Sequence, residues 1–541
     1  MPRWVRWGLG VVAALVVLVA AAAVAVPYLV DTPRIQAYIA TTAAQTLGRP
    51  VKFSSVSLRV LPLPAVELHE LEVAEDPKFG TTPFLRLDTG RVRLRLMPLL
   101  TGRVELGDIV LKKPVITVIQ AADGRLNIAT LGATTEPRAA TRPGRASGAP
   151  AAGGAVAAAR VLVDDGLVTY VARGKGDASA QYRLNALDLT LTGGGTQIAF
   201  HGKTKLQPGD VSLALSDGVI ALAGARPLTE ASLRGKVAID GKDVAPLTAA
   251  AAGPTPAIGG GVKGALALGG TIGAPTAAGE VTLSPLTVTQ TNAHCPEPKR
   301  RTLTIPTVKL NAGWQEQRFT STPLTATLGS GTVTTRVMAA LGRGVHVEMA
   351  DLGIKALPLE KVLVDYLCQG YAVTGPLDLT GTLSFEARDM LSTLSGPGQF
   401  RIGSGKVVGP QALALIGGVV RVGGAVSSLL SADLPASVFD SPLEFESITG
   451  TYTLASGVAT TRDLLYTSRA MKVAIAGTYG LASGALNLDM TVSHGRGQLQ
   501  AKVTGTTSSP SIRVSPASVL RDVDPQKAEK GIKDLLKRFG R

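Results

Sequence analysis

The sequence predicts a mainly β protein, built as an elongated, repetitive, curved antiparallel sheet that forms a groove or a partly open barrel. Three observations carry this prediction. Apolar and polar residues alternate with period two in many short segments, as they do in half-buried strands. Hydrophobic residues make up 45% of the 541 positions while aromatics make up only 4%. Glycine, at 62 residues, punctuates the chain throughout. Small and β-branched side chains suit a pleated surface better than wide helical layers, and a chain this long exceeds a single ordinary core.

The first element is an apolar helix. Gly8–Val26 is an uncharged run of 19 residues, close to the roughly 20 that cross a bilayer core. Leu9, Val11, Leu15, Leu18 and Val24 form its apolar body, Trp4 and Trp7 stand at one interface, and Tyr28 extends the far end. Arg3 and Arg6 precede the run and Asp31 follows it, which keeps the N-terminus cytoplasmic and exports the rest. Residues 1–31 therefore read as a stub and retained anchor. The rival is a cleaved signal, since Ala23-Val24-Ala25 has the small-x-small form, although the run is longer than a usual signal core.

A second helix follows, with Thr32 as N-cap, Pro33 at the first position and Gly48 as the stop. Strands take over to residue 133. In Arg91–Leu96 strict alternation places the arginines in water and Val92, Leu94 and Leu96 on one apolar side. Residues 134–159 are rich in Pro, Gly and Ala and read as a disordered linker. Residues 160–522 form the repetitive body, where the same alternation selects Leu187, Leu189, Leu191, Leu377, Leu379, Leu486, Leu488 and Met490. Within it, Val244–Leu247 followed by the segment from Gly264 resembles Lys355–Leu359 followed by the segment from Gly375, a degenerate internal repeat. Gln411–Leu430 is apolar, yet Arg421 and four glycines make it a poor membrane span. Residues 523–541 form a last helix with Ile532, Leu535, Leu536 and Phe539 on one face and lysines around it, suited to docking on its own domain or to an anionic membrane.

Something must cover the apolar strand faces, because long amphipathic helices are scarce. Either the sheet closes on itself or its apolar face contacts a guest; next to a membrane, the available guest is the acyl chain of a phospholipid. On that reading Val92, Leu94, Leu96 and the eight body residues named above line the groove.

A net charge of +15 favours anionic partners. Nucleic acid is set aside, because the basic residues are scattered and lack interleaved aromatics. Cys295 and Cys368 are the only cysteines; they either pair, as an oxidising compartment allows, or stand as small core residues. The five histidines show no metal-ligand spacing. Gly403-Ser404-Gly405-Lys406 lacks the first glycine and the Ser/Thr of a phosphate loop, and no nucleophile elbow or dinucleotide fingerprint is found. The expectation is a non-enzyme without metal or cofactor.

An ordered series gives the N-terminal region a family likeness. It runs Leu47-Gly48-Arg49-Pro50-Val51, then Leu61-Pro62, then LHELEVAEDPKFG from Leu68 to Gly80, then Pro83-Phe84. It continues with Met97–Glu105 and ends in Asp123-Gly124-Arg125-Leu126-Asn127. After an N-terminal anchor, this order resembles the AsmA family of Gram-negative envelope proteins, and Phe445–Val492 is similar to that family's last repeat. The resemblance implies an inner-membrane protein with its bulk in the periplasm and a curved sheet with an apolar groove. The implied role is outer-membrane biogenesis, by carrying phospholipid between membranes with or without an outer-membrane or envelope protein partner. The alternative it leaves is a non-transporting scaffold for outer-membrane proteins. It implies no catalytic residues.

Overall fold

The computed structural model describes residues 47–59, 65–94, 106–131, 160–173, 179–409 and 444–514, apart from short gaps at 195, 223–226, 294, 342–343, 370–371, 470 and 495–496, together with parts of 37–45. Trp4, Trp7, Leu9, Val11, Leu15, Leu18, Val24, Tyr28 and Leu96 lie outside the described residues, as do Gln411–Leu430 and the C-terminal helix. No helix among the described residues is long and apolar enough to cross a membrane.

The protein is mainly β: strands make up 69% of the described residues, and helices among them are few. Among the described residues, 26 strands belong to one hydrogen-bonded sheet and two form a separate small pair. The chain divides into two compact units, residues 1–243 with 263–279, and residues 244–262 with 280–541.

Unit 1 starts with helical residues around Ala40 and Thr41, and Gly48 ends them with a φ of 67°, the left-handed conformation that glycine adopts without a Cβ penalty. Strands β1 (Val51–Lys52), β2 (Ser55–Arg59), β3 (Ala65–Val73), β4 (Leu85–Leu94), β5 (Leu106–Lys112) and β6 (Val115–Gln120) follow. A single 3-10 turn, Asn127–Thr130, comes next, and then β7 (Arg160–Arg173), β8 (Ser179–Gly194), β9 (Gln197–Gln207), β10 (Val211–Ala221) and β11 (Ser232–Gly241). β7 to β11 pair as an antiparallel meander.

The connection through 134–159 does not divide the units; it falls inside unit 1. β7 pairs in parallel with β5 over Val161–Asp164 and with β6 over Leu167–Ala172. β5 and β6 are two halves of one line, interrupted at Lys113, which has a φ of 49°, and the buried Pro114. Parallel neighbours need a crossover connection of a dozen residues or more, whereas antiparallel ones need only a tight turn. The long low-complexity stretch supplies that crossover.

β12 (Ala257–Gly270) and β13 (Pro275–Thr291) contribute residues to both units. Unit 2 adds β14 (Arg300–Ile305), β15 (Thr307–Gln315), β16 (Arg318–Leu328), β17 (Gly331–Leu341), β18 (Val345–Pro358), β19 (Pro376–Glu386) and β20 (Gly396–Ile402). The pair β21 (Gly405–Lys406) and β22 (Glu444–Phe445) precedes β23 (Ser447–Ala455), β24 (Val458–Thr467), β25 (Lys472–Gly480), β26 (Ala485–His494), β27 (Gly497–Thr506) and β28 (Ser509–Val514). Among the described residues its helices are short: α1 (Ala245–Ala252), α2 (Glu360–Tyr366, wound as a π-helix) and α3 (Met390–Thr393). The two repeat segments share one order, since α1 lies between β11 and β12 and α2 between β18 and β19.

Candidate functional site

Strand register collects the apolar residues of unit 1 on one face. Val163, Leu189, Gly202, Leu215 and Val237 stand in line across β7 to β11. The intervening residues, such as His201, Lys203, Lys205, Arg234 and Lys236, are exposed on the other face. In unit 2, Leu377, Ile402, Ile448, Tyr466, Val473 and Val492 form one apolar row. Ile475, Met490, Ala501 and Val514 form another. Period two along each strand, with the pairing back in line on either side of each β-bulge, produces an apolar face within each unit.

The sequence-selected residues take three positions on this face. Leu187, Leu486 and Met490 are buried at 7%, 9% and 8% exposure. Leu486 and Met490 belong to a cluster with Leu359, Val407, Phe445 and Val503, against which Leu377 and Leu488 also pack. Val92, Leu189, Leu191, Leu377, Leu379 and Leu488 are half-buried. Leu94 lies in β4, with its side chain outside the description. The face is thus filled by the protein's own side chains around β26 and only half covered around β8 and β19.

Aromatic rings lie across glycines of the neighbouring strands. A Cβ on Gly218 would meet the Phe200 ring at 2.5 Å, and one on Gly235 would meet the same ring at 3.5 Å. Tyr452 covers Gly398 and Gly381 in the same way. Aromatic side chains over bare backbone stabilise the sheet. The glycine count signalled turns in the sequence; this second use was not legible there.

On the opposite face, carboxylates close β-bulges. Asp188 accepts a hydrogen bond from the Asp165 amide at 3.2 Å, and Asp378 accepts one from the Ala356 amide at 2.9 Å. Asp165 and Ala356 have φ values of 54° and 49°, so each is the strained residue of an irregular strand. Asp463 accepts the Thr451 amide and hydroxyl, both at 2.8 Å. Those bonds, the amide first, hold its carboxyl below the ordinary value of 3.8. Asp188 and Asp378 sit in the two Leu-Asp-Leu-Thr segments. Cross-strand ion pairs occupy the same face, including Lys236–Asp217 at 3.0 Å and Lys502–Asp489 at 2.9 Å.

Near the N-terminus a buried polar knot joins residues far apart in sequence. Arg49 and Glu75 pair at 3.0 Å with side-chain exposures of 4% and 1%. Asn127 donates to Glu75 at 2.7 Å and to the Thr117 carbonyl at 2.9 Å, and its own side-chain oxygen accepts the Ile119 amide at 3.0 Å. Arg49 also donates to the Asn127 carbonyl and the Thr130 hydroxyl, and its guanidinium lies 5.0 Å from the Phe84 ring centre. Arg173 of β7 closes the group by donating to the Phe79 carbonyl at 2.6 Å. Arg91, expected in water, is half-buried against Glu67 at 2.7 Å.

In unit 2, Cys295 and Cys368 form a disulfide with Cα atoms 5.4 Å apart. It ties the end of α2 to the loop between β13 and β14, where Asn292 also donates to the Leu367 carbonyl at 2.9 Å.

No curated protein matches the chain significantly. The model of the AsmA family matches residues 1–260. That stretch contains Arg49, Glu75, Phe84 and Asn127, the residues on which the family likeness rested and which the fold gathers into one knot. Over this matched stretch, just under half of its length, the chain is similar to the AsmA family.

Proposed function

We propose that this protein carries phospholipid along the apolar face of its sheet, between the membranes of a bacterial envelope. AsmA family proteins are envelope-associated. The observation that supports the reading is the apolar face itself: rows of Leu, Ile and Val in register, half-covered over β8 and β19, while the only described strands outside the sheet are the two-residue β21 and β22. Half-exposed leucines lose part of the roughly 25 cal/mol per Å² that burial provides, and acyl chains restore it without asking for hydrogen bonds. The opposite face, with its lysines and arginines, keeps the carrier wetted.

Gly8–Val26 would hold the chain in the inner membrane with its body in the periplasm. The Cys295–Cys368 bond supports an oxidising compartment for that body. The role needs no catalytic group: cargo is shielded, not converted.

The test is phospholipid transfer between vesicles by the detergent-purified full chain, with mass spectrometry of the lipid that co-purifies. Leu379 and Thr380 are adjacent and face opposite ways, half-buried and exposed. Leu379→Glu should cut transfer about tenfold or more, because a carboxylate among acyl chains costs several kcal/mol. Thr380→Glu should leave transfer unchanged. Equal rates for both variants, or wild-type protein free of lipid, would overturn the proposal.

A further inference from the structure

One residue breaks the composition of the apolar face. In β14 exposure alternates strictly, with Arg300, Thr302 and Thr304 outward and Arg301, Leu303 and Ile305 on the half-buried side. Their partners on β13 are Gln290, Val288 and Leu286 respectively. Period two therefore puts the Arg301 side chain where its neighbours are Leu and Ile, at the end of the row.

Arg301 is also incompletely satisfied. It donates to the Pro296 carbonyl at 3.2 Å. Its Nε is buried and has no hydrogen-bond partner. No carboxylate pairs with it among the described residues. An unpaired guanidinium at the edge of an apolar surface is costly, so its retention calls for an anion. Its surroundings are fixed in place, since the loop that holds Pro296 is joined to α2 by the Cys295–Cys368 bond and by the Asn292 contact to Leu367.

We infer that Arg301 binds the phosphate of a phospholipid headgroup whose acyl chains lie along the apolar face. This rests on the lipid-carrying reading above and names the chemistry it selects: a phosphate attached to apolar chains. A guanidinium presents donors in a planar fork that matches phosphate oxygens, which an ammonium does not. The neighbouring Leu303 and Val288 meet the first methylenes, and Gln290 faces the polar junction.

The experiment compares phospholipid co-purifying with full-length wild-type protein, Arg301→Gln, Arg301→Lys and Arg300→Gln, each checked for folding by circular dichroism. Arg301→Gln should lower bound phospholipid about tenfold, the loss expected for one charge-assisted contact. Arg301→Lys, which keeps the charge and loses the fork, should fall between, and Arg300→Gln on the opposite face should match wild type. If Arg301→Gln does not fold, Arg301→Lys decides, and lipid at the wild-type level in it overturns the assignment. Equal losses in Arg300→Gln and Arg301→Gln would reduce the effect to bulk charge and also overturn it. Inorganic phosphate should not displace the lipid; if it does, the site is one for free phosphate and the assignment fails. Wild-type protein without lipid would sink the carrier reading as a whole, whereas lipid retained equally by wild type and Arg301→Gln would sink only the role of Arg301.

Discussion

Arg49 illustrates how much one side chain can hold. Its charge is out of water, paired with Glu75 and braced by Asn127 and Thr130. Removing one member of a buried pair leaves the other charge uncompensated, at a cost of about 3–5 kcal/mol. Arg49→Met should therefore lower the stability of unit 1 by about that amount in urea unfolding, while replacing Arg49 and Glu75 together by apolar residues should cost less than Arg49→Met alone. A double variant as unstable as the single one would mean that packing, not charge, dominates. The sequence placed Arg49, Glu75, Phe84 and Asn127 within the ordered segments of a family likeness without showing what joins them. Separations of 26 to 78 positions carry no local signal, and only tertiary pairing reveals a shared partner.

At the scale of strands, period two was fully legible: the alternation at 187–191, 377–380 and 486–490 falls on observed strands β8, β19 and β26. Bulges were not, because an inserted residue changes the phase of a pattern without changing its composition. Their carboxylate clasps have a pH signature. Asp463 is held below 3.8 in the folded protein by the Thr451 bonds, so the folded state binds fewer protons than the unfolded one just below that value. The stabilisation is present above 3.8 and is lost as pH falls through the depressed folded value. Amide exchange in β23 and β24 should accelerate on acidification below pH 3.8, and Asp463→Asn should flatten that dependence. Unchanged acceleration in the variant would assign the effect to other acids.

For the molecule as a whole, the mainly β class and the paucity of helices were readable from composition, whereas the pairing of Cys295 with Cys368 was not, since two cysteines 73 residues apart say nothing of distance. Closing a loop of that length restricts the unfolded chain by about 4 kcal/mol. Replacing both cysteines by serine should lower the thermal stability of unit 2 and leave unit 1 unchanged, as calorimetry of the full chain would resolve. Unaltered unfolding would mean that the Asn292 contact alone secures α2. The parallel placement of β7 beside β5 and β6 bears on how such a chain is made. Everything synthesised before residue 160 ends in a ribbon with one bare margin, and the piece that seals it arrives only after a long excursion. A chain made from its N-terminus onward must keep that margin from pairing with a stranger until its own later segment is made.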